Sequence, residues 1–280
     1  MRFLCFILCL MTSVSCFSGN VILMIADGMG DNHIRCAEKD RPLYLNHLPV
    51  HGMVKTRSAS HEVTDSAASA TAYSCGQKTT NGYLGKLPDA QVCKTIAEEA
   101  VEKGLPVGLY STDHATGATP SAFFAHTRDR NLKDKILKQK EEAAKKMDIA
   151  VPVPRLSDEI LPRLAKLSEA GKPFFVMFEE AGTDTNSHNK QLEPMKKALY
   201  DFDLSVMKAV AFAHEHPNTT VIVLSDHETG GLTPDCRYTI GYHTGVDISV
   251  YAYGSQASLF NGEQDNTDIY KKMRYLLFND

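Results

Sequence analysis

The stretch NVILMIADGMGD, residues 20–31, sets six apolar residues in a row, ends them on Asp27 and follows with glycines. An apolar run without alternation is expected of a strand buried on both faces, as in a parallel sheet. Three further runs read the same way: LPVGLYST (105–112), PFFVMFEE (173–180) and TTVIVLSD (219–226). Helical patterns lie between and after them at Val92–Lys103, Arg155–Ala170 and Leu192–His214, with Lys133–Asp148 read as a solvated helix. A later run, DISVYAY (247–253), adds a strand, and Ile269–Phe278 a terminal helix. Alternation of this kind predicts an α/β fold with helices on both faces of a mainly parallel sheet.

Three of the runs finish in acid: Asp27, the Glu179-Glu180 pair, and Asp226 with His227 behind it. Ligands of open α/β sheets bind beyond the carboxyl ends of the strands, so these carboxylates are expected to converge on one crevice. Crowded carboxylates repel unless protonated or neutralised by a cation. The neighbouring sequence favours a cation: FEEAGTDTNSH places Asp184 and His188 on one face of a helical turn, and GYHTG adds His243. Imidazole with carboxylate and no clustered cysteine suits Zn²⁺, with Co²⁺ or Mn²⁺ as alternatives, whereas an all-oxygen set leans to Mg²⁺. Taken singly, an Asp-Gly is more often a turn and a DxxxH pair more often a helix surface.

Composition bounds the rest. The 280 residues are 43% hydrophobic and 23% charged, enough for one good-sized domain, and a net charge of −4 with no long basic run argues against nucleic acid as a partner. The start, MRFLCFILCLMTSVSC, fits a secretory signal peptide over residues 1–18, cleaved near Ser15 or Ser18, and hence a secreted or periplasmic protein with a single domain at 19–280. A lipid on Cys16 is a weaker alternative. Cys36, Cys75, Cys93 and Cys236 then allow three disulfide pairings. In VTDSAASATAYSCG (63–76), Asp65-Ser66 precedes a run of small residues. Alone it is an N-cap; with a ligand near, the same helix start is an anion site.

The ordered set MIADGMG, TDSAASATAYSCG, ATPSAFFAHTRDRN, FEEAGTDTNSH, VIVLSDHETGG and YHTGVDISVYAYG resembles the alkaline phosphatase family from about Asn20 to about Gly254. The resemblance implies a three-layer α/β/α sandwich with a largely parallel sheet, and hydrolysis of small phosphate monoesters by two zinc ions and one magnesium. It implies Ser66 as phosphate-accepting nucleophile with Asp65 behind it, and Arg130 rather than Arg128 as the phosphate clamp. Asp184, His188 and His243 resemble the ligands of one zinc, and Asp226 and His227 with Asp27 those of the other. Asp27, Thr119 and Glu179 resemble the magnesium ligands. Gly117, two residues before Thr119, stands where many relatives carry Asp or His, so the magnesium is expected to be held more weakly. Thr185 stands where some relatives use Lys or His to reach phosphate. Short connections from Arg130 to Glu179 and from His227 to His243 imply a pared-down member without the usual insertions and crown-like subdomain, in which a homodimer is less secure. A phosphodiesterase of the same superfamily and a non-catalytic metal- or phosphate-binding remnant are the competing readings. A sulfatase is disfavoured, because no Cys/Ser-x-Pro-x-Arg signature surrounds Ser66.

Overall fold

The computed structural model describes residues 18–279; the signal-peptide and Cys16 readings fall outside them. Among the described residues ten strands are formed: β1 Asn20–Ala26, β2 Val50–Lys55, β3 Val107–Ser111, β4 Asp148–Ala150, β5 Phe175–Glu180, β6 Thr219–Leu224, β7 Glu228–Thr229, β8 His243–Thr244, β9 Ile248–Gly254 and β10 Gly262–Asp265. The α-helices are α1 Asp31–Glu38, α2 Ser66–Cys75, α3 Ile96–Glu102, α4 Ala118–Ser121, α5 Lys133–Ala143, α6 Leu156–Ser168, α7 Gly182–His188, α8 Leu192–Glu215 and α9 Asn266–Phe278.

Eight strands make one sheet in the order β10-β2-β9-β6-β1-β5-β3-β4, with β7 and β8 paired apart from it. β1 runs parallel to both β5 and β6, and its register pairs Ala26 with Glu180 and Ile25 with Leu224. That alignment releases the residues after all three strands at one edge. The side chains of β1 alternate between two cores: Val21, Leu23 and Ile25 pack with α2, α3 and α9, while Ile22, Met24 and Ala26 pack with α6 and α8. The covering helices supply stripes at helical spacing, such as Leu156, Ile160, Leu164 and Leu167 on α6 and Ile269, Met273 and Leu276 on α9. Each such buried side chain contributes roughly 1.5–3 kcal/mol. Both faces of the sheet are therefore dry, which is why its central strands show no polar alternation.

The expected three-layer sandwich is present, with local corrections. The helix expected from Val92 begins only at Ile96, because Thr95 caps it and Glu98 closes the capping box. The helix read through Asp148 stops at Ala143, and Asp148 instead opens the edge strand β4 beside β3. The run DISVYAY is β9, antiparallel to both β6 and β2, so the sheet is mixed on that side. Of the three cysteine pairings the structure contains Cys36–Cys236; Cys75 and Cys93 stay reduced and buried.

Candidate active site

Asp27 follows β1 and turns away through Gly28 at φ +76°, where a Cβ would sit 2.8 Å from the Asp184 Cα. Only glycine combines that left-handed conformation with so close an approach to α7. The Gly28 N–H donates to Asp226 Oδ1 at 3.1 Å, tying the β1 and β6 ends together.

Two ligand sets converge here. In the deeper one, His227 Nε2 lies 3.6 Å from Asp27 Oδ1 and 3.2 Å from Asp226 Oδ2, all three residues being buried. In the outer one, one turn of α7 aligns Asp184 and His188, with His188 Nε2 at 3.3 Å and His243 Nε2 at 3.7 Å from Asp184 Oδ1. The outer set is half-buried, so one side of it is open to solvent.

The donor chemistry tests whether these residues suit cations. His188 Nδ1 hydrogen-bonds the Gly241 carbonyl at 2.8 Å and His243 Nδ1 the Thr64 carbonyl at 3.1 Å. A carbonyl only accepts, so both Nδ1 atoms carry the proton and the two Nε2 lone pairs confront each other at 3.2 Å. A cation between the rings resolves that repulsion. Asp27 Oδ1, Asp226 Oδ2, Glu179 Oε1 and Thr119 Oγ1 are buried without hydrogen-bond partners, another arrangement a cation would satisfy. Burial, then the Asp226, Asp184 and Glu179 charges, push the Asp27 carboxyl well above its ordinary range. Glu179 is pushed up to about 8 by burial and then by the Asp113 charge, and His227 is pushed down by burial and then by His243. The His-bearing sets fit zinc-type ions, and the oxygens of Asp27, Thr119 and Glu179 fit a harder one.

Ser66 opens α2, buried, with its Oγ 3.2 Å from His227 Nε2. Asp65 is its N-cap: Oδ1 accepts from the Ala68 N–H at 2.9 Å, while Oδ2 accepts from the Gly82 N–H at 3.0 Å and from Arg130 Nη1 at 3.2 Å. One carboxylate thus starts the helix and orients the guanidinium. Arg128 is exposed, as is Thr185. The small residues of α2 let it press on the β6 end, where Ser69 and Tyr73 hydroxyls donate to the Asp226 and Ser225 carbonyls. Thr119 sits on the short helix α4, and Glu179 at the end of β5 accepts a short hydrogen bond from Ser111. Glu180, the other acid at that strand end, caps α7 by accepting from the Gly182 N–H, a structural part.

Two participants escaped the sequence reading. Thr229 donates to Asp184 Oδ1 at 2.5 Å and lies 3.2 Å from His227 Nδ1, bridging the two ligand sets. Asp113 lies beside Gly117. A hydroxyl in SDHETGG and an acid in STDHATG carry no sequence pattern that separates them from turn residues.

Comparison with known proteins gives the geometry a context. The alkaline phosphatase family model matches residues 18–152, 137–242 and 236–278. Alkaline phosphatase 4 of Bacillus subtilis is 27% identical over 286 residues, covering 76% of this chain and 62% of its own length, so the chain spans less than two thirds of that relative. Alkaline phosphatase 3 of the same species is 24% identical, with 91% and 88% covered. The alkaline phosphatase of the Antarctic bacterium TAB5 superposes with a TM-score of 0.86 at 28% identity, over 92% of this chain and 98% of that one. Two variants of the TAB5 enzyme hold magnesium in a site designated M3. By its family-model match along nearly the whole described length, and by its likeness to these proteins, the chain belongs to the alkaline phosphatase family.

Proposed function

We propose that the protein is a metal-dependent phosphate monoester hydrolase that works through a phosphoseryl intermediate on Ser66. The observation that carries this is the position of Ser66 Oγ, at a helix start, 3.2 Å from His227 Nε2 and beside two carboxylate–imidazole sets. Asp27, Asp226 and His227 would hold one zinc-type ion, Asp184, His188 and His243 another, and Asp27, Thr119 and Glu179 a magnesium. When bound, the ions supply Lewis acidity that favours ionised oxygen nucleophiles and neutralises charge on the leaving oxygen.

The chain's own residues do the rest. Ser66 Oγ gives up its proton and bonds to phosphorus while the ester oxygen departs as alcohol. Water then cleaves the Ser66–phosphorus bond, releasing phosphate and restoring the hydroxyl. Arg130, steadied by Asp65, can donate two parallel hydrogen bonds to non-bridging phosphate oxygens, and the first turn of α2 favours the same anion. A monoester has one more anionic oxygen than a diester, which this clamp suits, so the monoester reading stands above the phosphodiesterase one.

Ser66→Ala is expected to keep zinc and bound phosphate but lose most turnover, and acid-trapped labelled phosphate in the wild type is expected on Ser66. Label on another residue, or faster hydrolysis of an aryl diester than of its monoester, would overturn the reading. Export is proposed separately, on the charged start and apolar run of MRFLCFILCLMTSVSC: mass spectrometry of secreted protein is expected to find a start after Ser15 or Ser18, and an intact Met1 would refute it.

A further inference from the structure

Gly117 lacks the side chain that would complete the oxygen set beside Thr119, yet its space is filled. A Cβ built there would fall 2.1 Å from Asp113 Oδ2 and 2.6 Å from its Cγ. No covalent or van der Waals arrangement tolerates such a distance, so the Asp113 carboxylate occupies the volume of the residue-117 side chain. Its placement is fixed from two directions. The Asp113 N–H donates to Ser111 Oγ at 2.8 Å, and that hydroxyl donates to Glu179 Oε2. Asp113 Oδ1 accepts from the His114 N–H at 2.7 Å and faces the His114 ring at 2.8 Å, which leaves Oδ2 as the oxygen turned toward Gly117. Two residues on, Thr119 Oγ1, and across the strand end Glu179 Oε1, are buried polar atoms with no partner. The geometry points to Asp113 as a fourth oxygen donor to the magnesium-type site, acting from four residues upstream in the space that Gly117 keeps open. The inference rests on the phosphatase reading, which supplies the third ion. It removes the reason to expect that ion to be weakly held.

Titration calorimetry of the zinc-loaded full chain with magnesium chloride tests it directly. Asp113→Asn, which keeps the shape and removes the charge, is expected to weaken magnesium binding about ten- to a hundredfold with zinc content unchanged. Gly117→Ala is an independent probe. The backbone there, φ −50° and ψ 140°, accepts alanine without strain, but the new methyl must expel the carboxylate, so a loss of similar size is expected. If Asp113→Asn disturbs folding, Gly117→Ala alone decides. Magnesium binding within twofold of wild type in these variants would overturn the role of Asp113 and leave the phosphatase reading standing. A wild-type chain that takes up zinc and hydrolyses monoesters but binds no magnesium would overturn the third site itself, and Asp113 with it.

Discussion

Replacing Thr229 by valine removes one oxygen and leaves the shape nearly intact, yet that oxygen touches both ligand sets. Its hydroxyl donates to Asp184 Oδ1 and accepts from His227 Nδ1, in a spot with no solvent access. With valine, the His227 ring N–H is buried without an acceptor, at a cost of about 1–3 kcal/mol, and nothing holds the tautomer that presents Nε2 to Asp27 and Asp226. Asp184 loses its orienting donor at the same time. Outer partners of this kind are worth about ten- to a hundredfold in metal affinity, or about 1.4–2.7 kcal/mol per ion. Thr229→Val should therefore weaken both zinc-type sites by that factor, while Thr229→Ser, which keeps the hydroxyl, should stay close to wild type. Competition against a chromophoric zinc chelator measures both affinities, and monoester turnover at limiting and saturating zinc provides the second readout. Turnover should collapse at limiting zinc and recover at saturation. If zinc affinity is unchanged, or if only the Asp184 set weakens, Thr229 does not bridge the two sites.

His33 offers a pH test at a residue that belongs to neither ligand set. Buried on α1, with Nδ1 accepting the Gly30 N–H and Nε2 bonded to Ser187, it is held neutral, its pKa lowered from 6.5 to about 4 chiefly by burial. As pH falls, the unfolded chain takes up this proton first, so the stabilisation is whole above about 6.5 and drains away toward 4, up to about 3 kcal/mol. Urea unfolding across that range should show a steeper loss in wild type than in His33→Gln; parallel curves would contradict the assignment. The Cys36–Cys236 bridge spans a sequence separation of 200, and loop-closure entropy for that span is on the order of 5 kcal/mol. The double serine variant should unfold at a markedly lower urea midpoint, and an unchanged midpoint would show that the bridge adds nothing.

The sheet centre was legible because burial on both faces writes itself as unbroken apolar runs, and β1, β5 and β6 need no partner to be recognised. The edge was not. β10 is Gly-Glu-Gln-Asp, with one buried side chain, and β2 is a short alternating segment holding a glycine; β2 exists because β9 offers it a ladder, and β10 because β2 does. The direction of β9 depends on which neighbour it meets, which a strand's own residues do not encode. At the site, Asp27, Asp226 and His227 announce themselves by position at strand ends, and Asp184, His188 and His243 by residue type and spacing. Thr229 and Asp113 do not, because their meaning lies in distances to residues remote in sequence. Gly117 is the sharpest case: a single letter read as a missing group is, in space, room made for another.

The ligand sets have a consequence for how the protein comes into being. Each joins chain segments made at different times: Asp27 must wait for Asp226 and His227, and Asp184 and His188 for His243. A growing polypeptide in which β1 and β5 are already complete still owns neither ion-binding set. On the proposed metal reading, ion capture by the outer set would wait until translation has passed His243, and a chain terminated before that residue is expected to be silent rather than partly active.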